Sequence, residues 1–362
     1  MAKKINELHE TALKPERALL VGLAEKGEDI AENMAELAEL ARTAGAVVVG
    51  EIVQHKDLPE KATLIGKGKV EEVKLFCGEH EVDVVIFDNE LSGIQIKNLE
   101  DAVDRKILDR STLILDIFAG RAVSAEGKLQ VELAQMKYNL PRLVGREKNM
   151  AKMRMGIGMR GPGEKKLEID RRRIRDEVHD LELKIKKLQA ERDVRRKQRN
   201  ESKLKKAALV GYTNSGKSTL MNALSKSSQL AENKLFATLD PLTRSVYLDD
   251  GRFYALTDTV GFINKLPHEF IDAFKSTLEE ARYADILIHV VDTASRNLLR
   301  HYEVVMDVLK ELKADNKTVI TVYNKADLGL DFPMPVTENA VCISAKTGYN
   351  LDGLKELLAK FI

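Results

Sequence analysis

Long apolar runs are missing from this 362-residue chain. No stretch approaches the roughly 18 consecutive apolar residues that a membrane-crossing helix needs. The opening segment Met1–Glu16 is polar and lacks an apolar signal core. Cysteine is scarce. Cys77 and Cys342 stand far apart with no partner His/Cys pattern, which excludes a disulfide framework and a cysteine zinc site and fits a reducing cytosol. The seven histidines show no metal-ligand spacing, and His268 and His289 read as structural. Residues Ala359–Ile362 carry no lipidation signal. The expectation is a soluble, cytoplasmic, monomeric chain without membrane insertion; peripheral contact with a membrane surface through charge stays open.

Charge is what the chain has most of. Asp, Glu, Lys and Arg make up 32% of it, yet the net charge is +1. The average conceals an asymmetry. Arg146–Lys206 holds 22 Lys/Arg against 11 Asp/Glu, so the remainder is acidic. A basic block of this kind is ordinarily a solvated face, but it also suits nucleic-acid phosphates. Aromatic residues are absent between Leu140 and Tyr212, so any RNA contact there relies on arginine stacking and backbone rather than on Phe, Tyr or Trp.

Hydrophobic periodicity divides the chain into three parts. Residues 1–120 read as an α/β subdomain. Arg17–Leu23, Ala46–Val53 and Val82–Phe87 have strand character; Asp29–Arg42, Val70–Cys77 and Ile94–Val103 have helical spacing. The apolar run Thr112–Ile117 closes the strand series, and the alternation predicts a largely parallel sheet. Gly66-Lys67-Gly68-Lys69 reads as a plain helix start, short of a phosphate motif.

Residues 121–204 form the second part. Leu129, Leu133, Met136 and Leu140, and then Ile174, Val178, Leu181, Ile185 and Leu188, recur at steps of three and four. Each stripe needs a partner, and the other stripe supplies it, so the pattern predicts an antiparallel helical hairpin. Its tip is the Gly-rich basic loop 141–163, with Arg195–Lys206 as a basic linker or frayed helix end.

The third part, 205–362, carries the chemistry. Gly211-Tyr212-Thr213-Asn214-Ser215-Gly216-Lys217-Ser218 fits G-x-x-x-x-G-K-[ST]; a strand pattern Ala207–Val210 precedes it and a helix pattern Thr219–Leu224 follows it. Such a loop wraps backbone N–H groups around a polyphosphate at a helix N-terminus. Lys217 adds a point charge for the β- and γ-phosphates, and Ser218 an oxygen for Mg²⁺. A mainly parallel sheet flanked by helices is expected around it.

Further segments resemble the elements with which GTPases select guanine and sense the γ-phosphate. Asn324-Lys325-Ala326-Asp327 follows an apolar strand, and an Asp carboxylate there accepts from guanine N1–H and N2–H₂, which adenine does not offer. Ser344-Ala345-Lys346 resembles the last base-contacting element of GTPases. Asp258-Thr259-Val260-Gly261 ends a strand; Asp258 is placed to hold Mg²⁺ and the Gly261 N–H to meet the γ-phosphate. Thr238 is the candidate switch threonine and a third Mg²⁺ ligand, with Thr243 the other candidate. Lys217, Thr238 and Gly261 are the candidate catalytic groups. Many GTPases place a water-orienting Gln after the glycine; here Phe262 stands there, so slow intrinsic hydrolysis completed by a partner is expected. Asn214 occupies the position at which some GTPases hold K⁺ near the phosphates; an Asn that caps the loop reads equally well.

These motifs together resemble the HflX-type GTPases of the Obg–HflX group. The resemblance also rests on Leu108–Phe118, on Glu126–Ala134, on Gly156–Glu164 followed by Asp170-Arg171-Arg172, and on Phe236–Asp240 and Asp258–Phe262, and it covers roughly residues 15–362. It implies that Leu108–Phe118 is the strand before the hairpin. It further implies a two-lobed N-terminal domain joined to a GTPase domain, GTP/GDP as ligands, and GTP-dependent binding to the large ribosomal subunit and its rRNA. Ribosome splitting or rescue is the implied outcome. Two departures stand out: the chain ends soon after the last GTPase helix, where many bacterial members continue, and Lys165-Lys166 replaces a less basic pair. The competing function is a nucleotide-switched regulatory protein that holds protein partners without RNA.

Overall fold

The computed structural model describes residues 14–145, 162–200, 204–225, 235–236, 241–264, 275–329 and 338–362. Two compact units are present, Met1–Leu113 and Ile114–Ile362.

The first unit is built on a parallel sheet of β1 (Arg17–Ala24), β2 (Val47–His55), β3 (Val84–Phe87) and β4 (Lys106–Asp109), in the order β2-β1-β3-β4. Helices α1 (Ala31–Thr43), α2 (Lys67–Glu79) and α3 (Gly93–Val103) make the crossovers. The central strands are nearly continuous apolar runs because both faces are covered. Leu19, Val21, Val85 and Phe87 pack with Val70, Val73, Leu99 and Val103 in one core. Ser92 and Gln95 form a reciprocal capping box at α3. Gly66 is the N-cap of α2, and its N–H donates to Gln54 at 2.8 Å, in keeping with a plain helix start.

One expected strand is a helix. The apolar run Thr112–Ile117 belongs to α4 (Arg110–Arg121), and the strand is the shorter Lys106–Asp109 before it. Periodicity cannot separate a short apolar strand from a buried helical segment. Capping decides the matter. One Asp109 carboxylate oxygen accepts from the Thr112 N–H at 2.9 Å and from its hydroxyl at 2.7 Å, which starts a helix at Arg110.

In the second unit, α5 (Ala125–Asn139) and α6 (Pro162–Asn200, 39 residues) lie against each other. Ser124 caps α5 by accepting from the Gly127 N–H at 2.9 Å. Leu133, Leu181 and Ile185 form the buried seam, flanked by Leu129, Met136 and Val178. Each buried aliphatic side chain contributes about 1.5–3 kcal/mol. Glu126 pairs with Arg192, and Lys137 with Glu182, so the chain runs in opposite directions along the two helices. Residues Leu140–Gly145 continue α5 as a 3₁₀ turn, and α6 starts at Pro162. The remainder of loop 141–163 lies outside the described residues.

The unit continues with a six-stranded sheet, order β10-β9-β8-β5-β7-β6. Its strands are β5 (Lys206–Val210), β6 (Leu242–Tyr247), β7 (Phe253–Asp258), β8 (Ile286–Asp292), β9 (Thr318–Asn324) and β10 (Ala340–Cys342). All pairs are parallel except β6 with β7. Among the described residues the α-helices that accompany this sheet are α7 (Lys217–Leu224), α8 (Lys275–Tyr283), α9 (Leu298–Glu311) and α10 (Leu351–Ala359). Leu220, Met221, Leu354 and Leu358 pack with Leu209, Leu256, Ile288 and Ile320 in one core; Val305 and Leu309 pack with Ala208, Val210 and Leu287 in another. From β5 the chain passes through β6 to β7 on one side of it, and from β7 it crosses to β8 on the other side. The carboxyl end of β5 is therefore a topological switch point, where open α/β sheets bind ligands.

Candidate nucleotide site

The turn from β5 into α7 demands glycine at two places. Gly216 has φ +95°, in the left-handed region, and a Cβ there would meet Asn324 Nδ2 at 2.2 Å. At Gly211, φ +153°, a Cβ would meet the Val290 carbonyl oxygen at 2.3 Å. Asn214, with φ +60°, supplies a third left-handed position. The first turn of α7 faces this loop with N–H groups that have no intrahelical partner.

Inside the loop, buried Lys217 donates from Nζ to the carbonyls of Gly211 (3.0 Å) and Tyr212 (2.7 Å). Burial pushes its pKa down to about 8, against the attraction of Asp258. The Ser218 hydroxyl donates to Asp258 Oδ2 at 2.7 Å. Thr213 Oγ1 and Ser215 Oγ are buried and make no hydrogen bond among the described residues. Buried polar atoms are ordinarily satisfied. Two orphaned hydroxyls beside a buried ammonium, a hydroxyl–carboxylate pair and a helix N-terminus make a donor set that fits a polyphosphate and its cation.

Asp258 is the last residue of β7. After it, Thr259 donates to the Leu209 carbonyl at 2.6 Å, and Val260 is buried. Gly261 lies so close to the loop that a Cβ would meet Thr213 Cα at 2.8 Å and Lys217 Nζ at 3.0 Å. Phe262 is 2% exposed and packs into the core with Val210, Ala281, Leu287 and Val305. Its ring serves the core, so it orients no water.

The segments expected to read guanine meet at the ends of β9 and β10. Asn324 is buried; its Nδ2 donates to the Ser215 carbonyl at 2.8 Å, and its Oδ1 accepts from the Ala345 N–H at 2.9 Å. One side chain thus braces the phosphate loop against the Ser344-Ala345-Lys346 turn. Lys325 pairs with Asp292 at 2.7 Å. Asp327 is exposed and accepts from the Ser344 hydroxyl at 2.6 Å; that bond first, and the Lys346 and Lys325 charges after it, hold its carboxyl below the usual range.

Of the two switch candidates, Thr238 and the stretch Ala237–Asp240 lie outside the described residues. Thr243 is a residue of β6, and its hydroxyl hydrogen-bonds that of Thr257 at 2.9 Å. Sequence reading passed over Asp292, whose only signal is its place at a strand's carboxyl end opposite Lys325. The side-chain contacts of Tyr212 with Asn264 and His301 carry no sequence signal. Among the described residues no group of three or more His, Cys, Asp or Glu gathers elsewhere as a metal site, and no helix is long and apolar enough to cross a membrane.

The chain resembles known proteins over almost all its length. Residues 206–325 match the family model described as 50S ribosome-binding GTPase, 31–119 that of the GTP-binding GTPase N-terminal region, and 121–199 its middle region. A crystal structure of a GTP-binding protein from Sulfolobus solfataricus in complex with GDP shares the fold, with TM-score 0.52 and 23% identity over 96% of this chain and 98% of that one. The GTPase HflX of Caldanaerobacter subterraneus is 50% identical, covering 98% of this chain and 82% of that relative. The GTPase HflX of Escherichia coli is 37% identical over 95% of this chain and 82% of its own length. By these matches, and with the loop Gly211–Ser218 and the turns Asn324–Asp327 and Ser344–Lys346 meeting at one sheet edge, the chain belongs to the HflX family of GTPases, enzymes that hydrolyse GTP.

Proposed function

We propose that this GTPase works on the ribosome: in its GTP form it binds the large subunit through the helical hairpin and loop 141–163, and it splits or rescues stalled ribosomes. The observation that carries the reading is the strongly basic segment Arg146–Lys206, borne on an antiparallel hairpin in the same chain as a GTP site. The description of the family model over 206–325 as a 50S ribosome-binding GTPase supports it. Functionally the chain then divides into a subdomain 1–120, a hairpin 121–204 and a GTPase domain 205–362.

In this reading the loop Gly211–Ser218 and Thr219 cradle the phosphates. Lys217 leaves the Gly211 and Tyr212 carbonyls to reach the β- and γ-oxygens. The hydroxyls of Thr213 and Ser215 gain the partners they lack among the described residues. Asn324, Lys325 and Asp327 read guanine, with Ser344, Ala345 and Lys346 closing over its O6 edge. Ser218, Asp258 and Thr238 hold Mg²⁺, which when bound neutralises charge that builds on the β- and γ-phosphates. Asn214 is the group that would hold K⁺. Gly261 presents its N–H to the γ-phosphate, with Thr259 and Val260 setting the approach. Phe262 is committed to the core, so the water-positioning group comes from the ribosome or from K⁺-linked order.

The test is GTP turnover by the full chain in KCl and Mg²⁺, with and without purified large subunits. Stimulation of at least tenfold is expected. A folded, GTP-bound chain whose turnover ignores the subunit removes the ribosome from the reading.

A further inference from the structure

Tyr212 does more than lend its backbone to the phosphate loop. Its main chain pairs with the segment after Gly261: the Thr213 N–H donates to the Phe262 carbonyl at 2.7 Å, and the Phe262 N–H donates to the Gly211 carbonyl at 3.1 Å. Its phenol oxygen accepts from the Asn264 N–H at 2.8 Å. Its ring stacks on His301 of α9, with centroids 3.7 Å apart and planes 10° from parallel. His301 is itself held, its Nδ1 lying 3.2 Å from the Ser295 hydroxyl. The side chain is 7% exposed.

These contacts fix more than one point. The backbone ladder holds residue 262, the phenol holds residue 264, and the stack on α9 stops the phenol from swinging away. Gly261 sits at the head of this short run, in contact distance of Thr213 and Lys217. A peptide held at two points beyond it has little freedom to turn, so the direction of the Gly261 N–H is set from the phosphate loop itself. We propose that Tyr212 is a positioning residue for the γ-phosphate: its hydroxyl holds Asn264 and thereby aims the Gly261 N–H. The proposal rests on the role given above to Gly261. It predicts a side chain that matters to GTP and not to GDP, because only GTP has a group for Gly261 to meet.

The test is Tyr212→Phe in the full chain, which keeps the ring, the stack and the backbone ladder and removes one oxygen. A fluorescent GDP and a non-hydrolysable fluorescent GTP analogue are titrated in KCl and Mg²⁺. Affinity for the GTP analogue should fall about threefold to tenfold, the range for one hydrogen bond, while GDP affinity stays within about twofold. kcat for GTP should fall with it. The thermal midpoint of the variant, measured alongside, establishes that it is folded. Equal losses for both nucleotides, or no loss for either, overturn the proposal. Failure of the parent protein to bind GDP at all would instead bring down the nucleotide-site reading on which the proposal stands.

Discussion

Asp88 and Asp109 in the N-terminal sheet occupy places equivalent to those of Asp258 and Asp292 in the C-terminal sheet: the carboxyl ends of parallel strands. Their surroundings differ. Asp88 pairs with Arg110 at 2.9 Å, Arg110 also pairs with Glu36, and Arg110 is 1% exposed. Asp109 caps α4 and accepts from the Leu91 N–H at 3.1 Å. That edge is filled by its own charges. In the C-terminal sheet, Asp258 holds a serine hydroxyl and Asp292 a lysine, next to two buried hydroxyls that bond nothing among the described residues. The same architecture spends its carboxylates on stability in one unit and keeps polar groups in reserve for a ligand in the other.

Four substitutions or conditions would break or sharpen this contrast. The largest effect belongs to Arg110→Met. It leaves Asp88 charged and buried, a loss of about 3–5 kcal/mol, read as a lower unfolding midpoint. GTP affinity should be unchanged, and a fall in it would mean the two edges are not separate in purpose. Lys217→Ala should cut GTP turnover about a hundredfold, as removal of one preorganised charge-stabilising donor does. A single-turnover assay near wild-type speed would deny Lys217 its role.

Phe262→Gln comes next. The amide would enter an apolar core, costing about 1–3 kcal/mol. Because position 262 points away from the loop, GTP hydrolysis should not rise, and an accelerated steady-state rate would show that the segment turns over in the working enzyme. The last effect is on pH. Burial holds His289 at about 3 and His301 at about 4, against 6.5 for an exposed imidazole. Between about pH 6.5 and 4 the unfolded chain binds more protons than the folded one, so stability falls as pH drops through that window. Denaturant midpoints at pH 7.5 and 5 should show the fall, and His289→Phe should make it shallower.

The sequence exposes the site more readily than the scaffold. The loop Gly211–Ser218, Asp258 and Asn324–Asp327 were legible as motifs because their residue types stand at fixed spacing, and the structure brings these segments together at one sheet edge. The hairpin was legible because two apolar stripes need each other. The helix Arg110–Arg121 was not, since a buried run looks alike in strand and helix and the deciding bond runs from the Asp109 side chain to a backbone N–H three residues on. The stack of Tyr212 on His301 was illegible for another reason: it joins residues far apart in the chain and obeys no period.

The Asn324 side chain joins Ser215 to Ala345, and the bond to Ser215 spans 109 residues. Closure of a loop that long comes late in folding, because its entropy must be overcome before the contact returns anything. During synthesis from the N-terminus, the phosphate loop is made early yet stays unbraced until residue 345 has emerged and docked. A chain still being translated therefore carries the Gly211–Ser218 loop well before it carries the Asn324 side chain and the Ala345 turn that tie it down, and the joined arrangement is among the last features it acquires.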